Sequence, residues 1–211
     1  MKISVSILGS LNNYKESVLK LNETTSDYLH LDIMDNTFTD TTSFTYDDSK
    51  IISNLNNKKL DIHIMSNDLD NILDDYIKLK PDIISFHFEA VKDIKKYINK
   101  IKENNIKASL AINPDTNIDD IKEYLNDLDM VLVMSVYAGY GGQKYIETTT
   151  DKLKKIKKIQ KNYNILIEVD GGINDETINQ VKDYVDIVVS GNYVTKSENY
   201  QKQINTLINN K

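Results

Sequence analysis

Eight short apolar runs recur at near-even intervals along this chain, and that recurrence limits the fold more than any other feature. The runs are ISVSIL (3–8), YLHLDIM (28–34), LDIHIM (60–65), DIISFHF (82–88), KASLAI (107–112), MVLVMSV (130–136), ILIEVD (165–170) and DIVVS (186–190). Each has the length of a β-strand and is rich in Ile, Val and Leu. Between them lie polar stretches such as VKDIKKYINKIKENN (91–105) and TTTDKLKKIKKIQKN (148–162). Their apolar residues return every three or four positions, the period of an amphipathic helix. Asn117 and Asn174, each followed by acidic residues, read as helix starts. The lysine-rich segment KLKKIKKIQK (152–161) reads as a solvated helix face.

Strands that alternate with helices predict a parallel sheet. Eight such units share 211 residues, about 26 each, which predicts an α/β chain folded as a (β/α)8 TIM barrel at the short end of its range. A doubly wound open sheet is the rival. The strands favour the barrel because they carry two distinct faces, one for the helices and one for the centre. Leu29, Leu31 and Ile33 point outward, while His30, Asp32 and Met34 point inward. Ile62 and Ile64 point outward from the next run, with Asp61, His63 and Met65 inward. In the seventh, Ile165, Ile167 and Val169 face out, with Leu166, Glu168 and Asp170 in. With 7 glycines and 2 prolines the chain shows no linker, so residues 1–211 are expected to form one domain.

The centre of such a barrel is a packed core, where ionisable groups are costly unless paired or bound to metal. His30, Asp32, His63 and Asp170 converge at the carboxyl ends of strands 2, 3 and 7. Two imidazoles and two carboxylates suit one divalent ion, Zn²⁺, Fe²⁺, Mn²⁺ or Co²⁺, with positions left for substrate. A hydrogen-bonded buried cluster would explain any one of these residues alone; all four in this register favour the metal. There is no cysteine, which excludes disulfides and thiolate chemistry. A formal net charge of -6 argues against a nucleic-acid partner. No apolar run nears the ~20 residues of a membrane-spanning helix, and the N-terminus lacks a signal-peptide layout, so a cytoplasmic protein with no membrane partner is expected.

His87 also faces inward and reads as a core histidine or one that supports a ligand; Glu168, deeper than Asp170, reads the same way. Met34, Met65 and Met134 sit inward near strand ends, either as adaptable core filling or as an apolar floor to a site. All 26 basic residues are lysines, so a phosphate must be held by lysine, hydroxyls or backbone N–H groups. Glycine-bearing turns that could supply those groups follow three late strands: GYGGQ (Gly139 to Gln143), DGGI (with Gly171 and Gly172) and SGN (with Gly191 and Asn192).

These segments, with SIL (6–8), HLDIMD (30–35), NP (113–114), MSV (134–136) and IEVDGGI (167–173), resemble the ribulose-phosphate 3-epimerase family in order and spacing over nearly the whole chain. The resemblance implies a (β/α)8 barrel that interconverts D-ribulose 5-phosphate and D-xylulose 5-phosphate, and a homo-oligomer. It implies that His30, Asp32, His63 and Asp170 hold the metal and that Asp32 and Asp170 are the acid/base pair. It implies that Ser6, His63, Met34, Met65 and Met134 face the substrate. It places Gly139, Gly141, Gly142 and Gln143, Gly171 and Gly172, and Gly191 and Asn192 in turns around its phosphate.

The chain departs from the family pattern at Val5, at Asn36 after Met34-Asp35, across TFTDTTSFTYDD (37–48), at Tyr137-Ala138 and at Asn192. None of these removes a metal ligand or an acid/base residue. Several touch the substrate rim, so 3-epimerisation of another phosphorylated ketose, such as D-allulose 6-phosphate, is the nearest alternative. A non-catalytic sugar-phosphate binder, or a barrel enzyme of another reaction type, are the remaining ones.

Overall fold

The computed structural model describes residues 1–209. Eight parallel strands close in sequence order into a barrel. They are β1 (Lys2–Ser6), β2 (Tyr28–Met34), β3 (Lys59–Met65), β4 (Ile83–His87), β5 (Lys107–Ile112), β6 (Met130–Met134), β7 (Leu166–Asp170) and β8 (Ile187–Ser190). The helices are α1 (Tyr14–Asn22), α2 (Tyr46–Leu55), α3 (Leu69–Lys78), α4 (Ile94–Glu103), α5 (Thr148–Gln160), α6 (Ile178–Val181), α7 (Asn192–Thr195) and α8 (Tyr200–Asn209). Among the described residues, no helix is long and apolar enough to cross a membrane.

The expected alternation of strand and helix holds with three local differences, one being that α7 and α8 both follow β8. After β5 the connection is a 3₁₀ helix, Ile118–Tyr124, at whose start the Asn117 N–H donates to Asp120 Oδ2 at 3.1 Å. After β7 the helix has only four residues. Asn174 still acts as a cap, since its Oδ1 accepts from the N–H groups of Glu176 and Thr177 at 2.9 and 3.0 Å.

Strand patterning fixes what lies where. Leu29, Leu31 and Ile33 join the aliphatic layer between barrel and helices, which α4 meets with Ile94, Tyr97, Ile98 and Ile101. Each such side chain, once buried, contributes about 1.5–3 kcal/mol. The inward residues form layers. Tyr28, Ile83, Met130, Ile187 and Leu166 pack an apolar floor at the amino ends of the strands. Above it the interior turns polar, with Ser4, Asp61, Ser85, Ser109 and Glu168 fully buried.

One device recurs four times below that floor. Asp27, Asp82, Asp129 and Asp186 stand immediately before the even-numbered strands β2, β4, β6 and β8. Their Oδ2 atoms accept from the N–H groups of Ile3, Leu60, Ala108 and Ile167 at 2.9, 3.0, 3.0 and 2.8 Å. The N–H of each aspartate donates back to the carbonyl of the same partner, at 2.9, 2.8, 3.0 and 2.8 Å. Each odd strand is thus clasped to the next even strand, and the cylinder is built of four like quarters.

Candidate active site

Sheet register assembles the site. His30 pairs across the sheet with Ser6 on one side and Asp61 on the other, and Asp32 pairs with His63. Met34 pairs with Met65, and Met134 with Asp170. Because side chains alternate along a strand, this register turns His30, Asp32, His63 and Asp170 into one interior layer at the carboxyl end.

One ligating atom from each of the four lies within 4.8 Å of all the others. His30 Nε2 and His63 Nδ1 each lie 3.4 Å from Asp32 Oδ1, and His30 Nε2 lies 4.0 Å from Asp170 Oδ2. Metal–ligand bonds of ~2.0–2.2 Å place ligand atoms roughly 3 to 4.4 Å apart, so a shift of a few tenths of an ångström would close this set on one cation. His30 Nε2 and His63 Nδ1 are buried and have no hydrogen-bond partner among the described residues. A buried imidazole nitrogen without a partner is costly, and both point at the shared carboxylate oxygen. The residues therefore fit a divalent ion.

The neighbours of the four are arranged to aim them. Asp61 Oδ2 lies 2.7 Å from His30 Nδ1 and accepts from Ser4 Oγ at 2.9 Å. Ser6 Oγ donates to Asp32 Oδ2 at 2.7 Å, which leaves Oδ1 for the site. Burial alone would raise Asp32, but the His30 and His63 imidazoles outweigh it and hold its carboxyl well below the usual range. Burial, then the charge of Asp32, pushes Asp170 up to about 7. Burial opposes charge on His30, yet Asp61 and Asp32 override it and raise its pKa well above the ordinary value. Surroundings that favour a proton on that ring favour a cation beside it for the same electrostatic reason. Glu168 is fully buried beneath, and among the described residues neither of its oxygens has a partner; burial and then Asp61 raise its pKa well above the usual carboxylate value.

A cleft of about 300 Å³ opens over this layer. Ser6, Asp32, Met65, Met134 and Asp170 form its bottom. Gly139, Gly141, Gly142 and Gln143 form one wall; Gly171, Gly172, Gly191 and Asn192 form another. Gly172 has φ of 65°, and a Cβ there would sit 2.5 Å from the N of Tyr145, so only glycine fits. Met34 opens instead onto a neighbouring hollow with Thr41 and Gly139, and Thr41 Oγ1 lies 3.2 Å from its sulfur. His30 and His63 lie below the cleft surface, fully buried. Apolar wall residues Val136, Ile173 and Val189 were not singled out from the sequence. Neither was Glu89, whose contact with His87 depends on the turn after β4.

The altered segment 37–48 reaches the rim, where Thr41 Oγ1 donates at 2.8 Å to the carbonyl of Gly139, the residue after the altered Tyr137-Ala138. Lys152, expected on a solvated face, is half-buried and donates to the carbonyls of Asn113 and Pro114 at 2.8 and 2.6 Å. The Asn113 carbonyl also accepts from the Thr116 backbone N–H at 3.1 Å, so Lys152 joins a turn that is already closed on itself.

Comparison with known proteins agrees with this geometry. The model of the "Ribulose-phosphate 3 epimerase family" matches residues 2–195. A ribulose-phosphate 3-epimerase of Helicobacter pylori is 34% identical, with 99% of this chain and 97% of that protein covered. One of Methanocaldococcus jannaschii is 33% identical over 98% of this chain and 89% of its own length. Among solved structures, KGPDC from Streptococcus mutans superposes with a TM-score of 0.71 at 14% identity, over 99% of this chain and 96% of that one, which is a likeness of fold.

Proposed function

Since the chain belongs to the ribulose-phosphate 3-epimerase family and is an isomerase of the epimerase class, we propose that it interconverts D-ribulose 5-phosphate and D-xylulose 5-phosphate with one divalent cation held by His30, Asp32, His63 and Asp170. The observation that carries the metal dependence is the pair of buried, unpartnered nitrogens, His30 Nε2 and His63 Nδ1, facing one carboxylate oxygen. When bound, the cation supplies positive charge for the oxygens of C2 and C3, where the enediolate accumulates negative charge.

The chain's own residues move the proton. Inversion at C3 requires removal of a carbon-bound hydrogen on one face and its return on the other. Asp32 and Asp170 both border the cleft, so one is suited to take the proton and the other to deliver one. The reverse direction exchanges the two roles. Ser6 keeps Asp32 in place through its hydrogen bond. Met65 and Met134 present sulfur and methylene groups to the reacting carbons and limit water there. The phosphate is assigned to the turns at Gly141–Gly142, Gly171–Gly172 and Gly191–Asn192, whose backbone N–H groups serve a chain without arginine.

The test is hydrogen exchange. Protein loaded in turn with Zn²⁺, Mn²⁺, Fe²⁺ or Co²⁺ is incubated with ribulose 5-phosphate in deuterated water. Deuterium is expected at C3, together with xylulose 5-phosphate. No exchange from fully loaded protein overturns the reading. The altered segment 37–48, which meets the rim through Thr41 at Gly139 beside the altered Tyr137-Ala138, supports a second reading, the same reaction on a longer ketose phosphate. Faster turnover of D-allulose 6-phosphate in the same assay would select it.

A further inference from the structure

A line of polar groups runs from His63 away from the cleft to the barrel rim. His63 Nε2 lies 3.0 Å from His87 Nε2, and His87 Nδ1 lies 3.0 Å from Glu89 Oε2. Glu89 Oε1 accepts from the backbone N–H of Asn113 at 2.8 Å and from the Thr116 hydroxyl. Both rings are fully buried, and the Glu89 side chain is 24% exposed. Phe38 covers His87, with ring centroids 4.6 Å apart.

This line has a direction. An ionised carboxylate only accepts, so His87 Nδ1 must carry the hydrogen that points at Glu89. A neutral imidazole has one N–H, so His87 Nε2 is bare and accepts. The contact between the two rings then needs its hydrogen on His63 Nε2. That leaves His63 Nδ1 bare, and this is the atom 3.4 Å from Asp32 Oδ1.

We propose that Glu89 is a positioning residue that acts through His87 to set His63 in the tautomer whose bare Nδ1 faces the cation site. The role rests on the cation site proposed above. His30 receives the same service from Asp61 directly, so each ligand histidine is aimed by its own carboxylate, one at first hand and one through a third histidine.

Glu89→Gln tests the direction with little change of shape. The Asn113 backbone N–H can only donate, so the amide oxygen is required on that side. The amide NH₂ must then face His87, whose Nδ1 becomes the acceptor. His87 Nε2 would carry the hydrogen, His63 Nε2 would accept it, and His63 Nδ1 would be protonated toward the cation.

The chain has 3 histidines, so long-range ¹H–¹⁵N spectra of the metal-free protein contain only three imidazoles to assign. Wild type is expected to show His63 protonated on Nε2 and His87 on Nδ1. Glu89→Gln is expected to reverse both and to weaken Zn²⁺ binding, read by competition with a chelator, by about 10–100-fold. Thr116→Val removes one donor to Glu89 and should leave both tautomers unchanged. Wild type that binds Zn²⁺ but carries its His63 proton on Nδ1 overturns the role of Glu89 alone, and that measurement needs no variant to fold. Glu89→Gln that keeps both tautomers and wild-type Zn²⁺ affinity overturns it too. Wild type that binds no Zn²⁺ while showing the expected tautomers overturns the cation site, and the role with it.

Discussion

At the amino end of the barrel, Asp27, Asp82, Asp129 and Asp186 turn a carboxylate oxygen onto a backbone N–H at 2.8 to 3.0 Å. At the carboxyl end, Asp32 and Asp170 turn theirs toward histidine nitrogens that have no other partner. The residue type is the same, and the surroundings decide its use. A carboxylate met by a fixed backbone donor is satisfied by folding alone and stabilises the fold. One set beside unpartnered imidazoles is left for something else to complete, and function is located there. Substitutions at the two ends should therefore separate activity from stability.

The largest separation is expected from Asp170→Asn. Losing one member of an acid–base pair typically removes a factor of ~10²–10⁴ from the rate. Its side chain is 16% exposed and borders the cleft, so the amide should be accommodated and the circular-dichroism spectrum retained. Turnover within tenfold of wild type, with metal loaded, would remove Asp170 from the acid–base pair.

The same residue gives the next effect, on pH dependence. With the cation stripped by chelator, the carboxyl of Asp170 is raised to about 7 from an ordinary 3.8. A raised folded-state pKa means that the native state binds more protons than the unfolded state between those values. Its contribution to stability is thus complete below pH ~4 and is lost as pH rises through ~7. The difference in unfolding free energy between wild type and Asp170→Asn should shift against wild type across that window, on the order of a few kcal/mol. Saturating Zn²⁺ should reverse the trend, because metal binding favours the deprotonated carboxylate. A pH-independent difference without metal would mean that the rim carboxylate is not strained by its surroundings.

How much of this contrast can be read from the sequence depends on what each part requires. The two-residue period of YLHLDIM and LDIHIM places His30, Asp32 and His63 on one face without knowledge of neighbours, and the eightfold alternation supplies the barrel that brings Asp170 to them. Pairing His30 with Asp61 requires the register between β2 and β3. The contact of Glu89 with His87 requires both the turn after β4 and the Asn113 loop after β5, and no local period encodes either. The clasping aspartates show in sequence only as a residue type before every second strand; their partners lie 19 to 24 residues away, on the preceding strand.

The smallest expected effect lies at those clasps. Asp82→Ala removes the acceptor for the Leu60 N–H, and leaves a donor at the start of β3 with only water to meet it. Hydrogen bonds to charged groups contribute about 1.5–3 kcal/mol, and the reciprocal Asp82 N–H to Leu60 carbonyl bond at 2.8 Å survives the change, so a loss near the lower figure is expected. Denaturant unfolding should show that loss while kcat, KM and bound metal stay as in wild type, because Asp82 precedes β4 at the opposite end of the strand from His87. Asp129→Ala makes the equivalent change in the next quarter of the barrel and should lose a similar amount. An activity loss in either variant without a loss of stability would show that the two ends are coupled, and would undo the division of labour between them.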